Sequence, residues 1–161
     1  MSDITKKIPK LADDELLNLF KNAVRLLSKS ENTPALEVVN AVGKEWKKRL
    51  ELARAGKYSP ATPDIGMLAT LGYRVGSVNG EKTAIRRKIL AHIMEGELPF
   101  VGSPAYTDEW GVPNSSKRYQ KLTRVFGGNL NNKAHVDNAQ AIIEWSEDLE
   151  WVQNKYHHLA V

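Results

Sequence analysis

The stretch "GSVNGEKT", residues 76–83, decides the fold. Read one way, it is the phosphate-cradling loop G-x-x-x-x-G-K-[ST], which needs a strand before it, a helix after it and a parallel sheet around it. Read the other way, it is a turn feeding a helix, and the chain needs no sheet. Gly76, Lys82 and Thr83 occupy the outer positions of the loop pattern, but Glu81 stands where its second glycine belongs. A carboxylate there repels the anion that the backbone must approach. "YRV" at 73–75 is the only strand-like fragment between turn signals, and it is short. No acidic residue after an apolar strand offers a magnesium ligand. The stretch is therefore a turn built on Asn79 and Gly80.

Working outward, helix signals dominate. Leu16, Phe20, Ala23 and Leu27 recur at three-four spacing after Asp13, which is placed to cap a helix start. Thr33-Pro34 opens a second helix with the buried stripe Leu36, Val39, Val42, Trp46, Leu50 and Ala53, closed by Gly56. The same start recurs at Thr62-Pro63, before Ile65, Leu68 and Leu71, and at Ser103-Pro104, before Tyr106 and Trp110. Ile85, Ile89 and Ile93 mark a helix over 83–95, ended by Gly96. Ser115 or Ser116 starts another, which "GGNLNNK" at 127–133 is expected to break. Asp137 with Gln140 resembles a capping box and leads into the seam Ile142, Trp145, Leu149, Val152 and Tyr156. The expected fold is all-α, with six or seven helices in one domain over 1–161. The first two form an antiparallel hairpin over 1–58, and a helical bundle occupies 62–161.

The 161 residues carry no cysteine, which excludes disulfides and thiolate metal sites and fits a reducing compartment. "MSDITKKIPK" lacks a signal-peptide core, and no run approaches the ~20 apolar residues of a membrane span. A cytoplasmic protein is expected. The net charge is +4, and charge is sorted by segment. From Lys117 to Lys133 there are five basic residues and no acidic one, whereas Asp137 to Glu150 holds five acidic residues and no basic one.

Two helix starts carry cations: Arg86, Arg87 and Lys88 in one, Lys117, Arg118, Lys121 and Arg124 in the other. Helix N-termini favour acidic side chains, so these cations sit against the dipole. Free amides beside arginines make an anion site, which gives the leading expectation of a nucleic-acid backbone gripped at both starts. The competing reading pairs these cations with the acidic last helix. Backbone binding requires them on one exposed face with no acidic neighbours. A helix-turn-helix does not fit, because about eleven residues separate Leu71 from Thr83 against the ~3–4 of that motif.

Other constellations carry little chemistry. His157-His158 do not share a helix face, and His92 and His135 are isolated, so no metal site is expected. Asp108 and Glu109 in "DEWG" point apart, and no nucleophile–base pair stands out, so no catalytic residue and no cofactor are assigned. Trp46 and Trp145 lie on apolar stripes and belong to the core, and Trp110 plugs the end of its short helix. Trp151 falls off the seam beside acids and is the candidate for a partner contact.

The combination of "LGYRVG", "IRRKIL", "EWGVPNSSKR" and "AIIEWSEDLEWVQNKY" resembles a bacterial family of uncharacterised proteins. The similarity spans most of the chain and implies a bacterial cytosolic origin, with no activity attached. The sequence therefore points to a non-enzymatic, nucleic-acid-associated helical protein, with either DNA or RNA as the nucleic acid. The alternative is a protein–protein interaction module, self-associating through the Trp145, Leu149 and Val152 seam. A third option is an enzyme whose residues are too scattered to detect.

Overall fold

Ser30–Asn32 turn the chain between α2 (Asp13–Lys29) and α3 (Thr33–Arg54), and the two helices pack along one another as the expected hairpin. The computed structural model describes residues 3–60, 65–132 and 138–160. The buried stripe of α2 is Leu16, Leu17, Phe20, Ala23 and Val24, the face its spacing predicts. The caps fall one residue earlier than expected. Asn32, not Thr33, accepts the amide of Ala35 at 2.9 Å. Ala12, not Asp13, precedes α2, and its amide donates to Glu15. Asp13 is occupied elsewhere. Its carboxylate takes Arg49 at 2.8 Å and the Tyr58 hydroxyl at 2.6 Å, in a buried network that Glu45 completes.

The remaining helices are α1 (Asp3–Lys7), α4 (Met67–Thr70), α5 (Thr83–Glu95), α6 (Pro104–Asp108), α7 (Ser116–Asn131) and α8 (Ala139–Tyr156). The fold is all-α, with eight helices among the described residues rather than six or seven. The addition is α1, too short to show a periodicity. Thr62-Pro63 lies outside the described residues, as do Lys133, His135 and Asp137. Asn138 caps α8, accepting from the amide of Ala141 at 3.2 Å.

The core joins the hairpin to the rest through rings. Phe20 lies 5.3 Å from Trp46 and 4.7 Å from His92, which brings α5 onto α2 and α3. α7 packs along α8, where Leu122, Phe126, Trp145 and Val152 are buried. α7 also runs through Gly127 and Gly128 instead of ending there. Two helical glycines cost about 1 kcal/mol each relative to alanine. Leu130, packed against the core, holds the last turn in place against that cost.

Gly72 ends α4 at φ +95°, in the left-handed region. The amide of Tyr73 then closes onto Leu68 O at 2.9 Å, and the tyrosine is buried. That bend leads the chain across the top of α8 and into the 76–83 turn.

Candidate functional site

The 76–83 turn is closed on its own protein. Gly76 lies at φ +106° and Asn79 at φ +61°. A Cβ on Gly80 would overlap the carbonyl oxygen of Gly76, so only glycine fits there. The Gly76 amide donates to Glu144 Oε1 at 2.8 Å, and Arg86 Nη1 donates to Glu81 O at 2.8 Å. The amides of Gly76 and Glu81, which a phosphate would need free, are thus bound to α8 and to Arg74 O.

Arg86 is the centre of that arrangement and is 1 % exposed. Its Nε donates to Asp148 Oδ2 at 2.7 Å and its Nη1 to Glu144 Oε2 at 2.6 Å. The Tyr73 hydroxyl donates to the same Asp148 oxygen at 2.7 Å. Burial works to lower the Arg86 pKa, but the hydrogen bond and charge of Asp148 outweigh it and hold the guanidinium charged. Burial, reinforced by Asp148, pushes the Tyr73 hydroxyl far above its usual range. Arg86 therefore does not face a nucleic-acid backbone; it is spent on two carboxylates of α8. Arg87, half-buried, lies 3.7 Å from Asp148 Oδ1 and 5.6 Å from the Trp151 ring centre.

Arg118 requires the same correction. It is 2 % exposed and donates to backbone carbonyls: Ile93 at 2.9 Å, Gly111 at 2.9 Å, and Gly96 and Trp110 besides. It caps the C-terminal end of α5 from the start of α7. Burial without a bonded carboxylate lowers its pKa to about 10. Lys121 pairs with Glu109 at 2.8 Å and lies near the rings of Tyr106 and Trp110. Lys88, Lys117 and Arg124 are exposed, Lys88 on α5 and the other two on α7. Asp108 and Glu109 line the same shallow depression as Lys117 and Arg124. The seven cations therefore do not form one exposed face free of acids. Trp151 is half-buried, with Arg87 near one part of its ring and Lys155 Nζ 5.1 Å from its centre. The seam expected to mediate self-association is internal, with Val152 at 0 % and Trp145 at 8 % exposed.

Beside this ionic layer lies a groove of about 590 Å³, a feature that no single segment announces. The 65–79 segment forms one wall, and α6, α7 and the start of α8 form the others. Its floor holds Trp110, Trp145 and Tyr73. Its rim holds Ile65 and Val78, 59 % and 78 % exposed, and Arg74, Asn79 and Asn129 line it as well. The Tyr106 hydroxyl accepts the Met67 amide at 3.0 Å and fixes the wall to α6. The buried Nε1 of Trp110 donates to no described residue. Tyr73 spans both layers, lining the groove with its ring and bonding Asp148 with its hydroxyl.

Among the described residues no group of three His, Asp or Glu side chains is placed to hold a metal ion. No described helix is long and apolar enough to cross a membrane. Compared with protein-family models, curated proteins and solved structures, the chain finds no match in any of the three.

Proposed function

We propose that the protein is an interaction module that receives a segment of a partner protein in the groove between the 65–79 wall and helices α6–α8. The observation that carries this reading is the rim. Ile65 and Val78 stand exposed on the same opening, over an apolar floor large enough for a bulky side chain. The rim amides of Asn79 and Asn129 supply hydrogen bonds suited to a peptide backbone.

A single-stranded nucleic acid suits this opening less well. Base stacking needs exposed rings, whereas Trp110, Trp145 and Tyr73 are buried at 0, 8 and 5 % exposure. The exposed apolar side chains of the opening are the aliphatic Ile65 and Val78, and the one further ring in its lining, Tyr106, is half-buried. A backbone-gripping role would rest on Lys88, Lys117 and Arg124, and the last two share their depression with Asp108 and Glu109. Panning a random peptide library against the full chain tests the reading. Selected peptides are expected to share an apolar anchor and to lose at least about tenfold in affinity for the Ile65→Ser/Val78→Ser variant.

A further inference from the structure

At Arg74 the lining of the groove adjoins a cluster of positive charge. Lys21 and Arg25 lie four residues apart on α2 and so share a face. The Lys21 stem lies against Gly72, where a Cβ would come within 3.4 Å of Lys21 Cε. Arg74 follows two residues later, and its carbonyl accepts the Glu81 amide at 2.9 Å. The Glu81 carboxylate takes Arg25 Nη2 at 2.9 Å. Of these three cations only Arg25 is paired, with Glu81, and no described carboxylate is bonded to Lys21 or Arg74.

Like charges one helical turn apart destabilise the helix that bears them. Burial lowers the Lys21 pKa, and the charges of Arg74 and Arg25 lower it further. An arriving anion relieves that repulsion. Arg74 is exposed and belongs to both features, since it also lines the groove.

We infer that the segment received by the groove is acidic: an apolar side chain enters over Trp110 while neighbouring Asp or Glu carboxylates settle on Lys21, Arg25 and Arg74. This rests on the groove reading above and adds the charge of the partner to it.

The test uses fluorescein-labelled peptides with a central Leu or Phe flanked by Glu, Gln or Lys. Anisotropy is read against the full chain at about 50 and 200 mM salt. Glu-flanked peptides are expected to bind about tenfold tighter than Gln-flanked ones, as three charge contacts acting together allow, and to lose that advantage in salt. Lys21→Glu/Arg74→Glu should erase the preference, and Lys48→Glu, a change on α3 outside the groove, should keep it. Where Lys21→Glu disturbs folding, seen in its thermal melt, Arg74→Glu alone carries the comparison. Equal binding of Glu- and Gln-flanked peptides, or a preference that survives charge reversal, overturns this inference and leaves the groove reading intact. No binding by any peptide overturns both. Glu-dependent binding indifferent to Ile65→Ser/Val78→Ser places the peptide outside the groove and also overturns the inference.

Discussion

Arg86 and Asp148 stand 62 residues apart in sequence and 2.7 Å apart in space, and neither is more than 1 % exposed. Their contact fixes α5 to α8 beneath the groove. Removing one partner strands the other in a site that excludes water. Arg86→Met is expected to destabilise the protein by about 3–5 kcal/mol in urea unfolding. Arg86→Met combined with Glu144→Gln and Asp148→Leu should recover a large part of that loss, because no buried charge is left alone. A simple sum of the single costs in the triple variant would contradict this account.

Tyr73→Phe separates the two layers. The ring keeps its place in the groove while Asp148 loses one donor. A loss of about 1–2 kcal/mol in stability is expected, with the groove's peptide affinity unchanged within about twofold. A large fall in affinity would mean that the hydroxyl itself meets the ligand.

Arg118 serves carbonyls instead of carboxylates. Arg118→Met should cost about 2–4 kcal/mol, since several buried acceptors lose their donor together. Arg118→Lys should not restore stability, because a single ammonium cannot reach carbonyls on both sides of a planar fork. Full rescue by lysine would show that charge alone matters there.

His92 gives the fold a dependence on pH. Its ring packs against Phe20 and Trp46, its Nε2 donates to Glu97 O at 2.7 Å, and burial lowers its pKa to about 4. The unfolded chain takes up that proton near pH 6.5 and the folded chain does not. Stability is therefore complete above about pH 6.5 and falls as pH drops toward 4, by up to about 3 kcal/mol. His92→Gln should flatten urea midpoints across that window. Gly96→Ala should weaken the fold at every pH, because its Cβ would collide with the His92 ring.

Much of this architecture is legible in the sequence. The stripes of α2 and α8 follow their spacing, as does that of α3 apart from Leu36, which is exposed, and the pairing of Arg86 and Arg87 with α8 is the competing reading of those cations. The fates of individual arginines are not legible. Arg86 sits beside Arg87 and Lys88 in the chain, and only the rotation of α5 against Glu144 and Asp148 separates the buried Arg86 from the half-buried Arg87 and the exposed Lys88. Arg118 has no acidic partner that a pattern could reveal, because its acceptors are backbone oxygens. The helix through Gly127 and Gly128 defies local propensity because Leu130 finds the core. The groove needs walls from the 65–79 segment and from three helices, so no one stretch contains it.

Duplex DNA and single-stranded RNA provide the contrast. With Arg86 and Arg118 buried, binding at about 50 mM salt should be weaker than micromolar and should change little in Lys117→Ala/Arg124→Ala. Tight binding that falls steeply by about 200 mM salt and vanishes in that variant would restore the backbone reading.

The most direct measurement follows the indole N–H resonances of the four tryptophans by NMR while a Glu-flanked, Leu-centred peptide is titrated into the labelled protein. Trp110 and Trp145 line the groove, whereas Trp46 lies in the hairpin core and Trp151 between Arg87 and Lys155. The first two resonances should shift with added peptide and the other two stay in place. Shifts confined to Trp151, or no shift at saturating peptide, would contradict the groove reading.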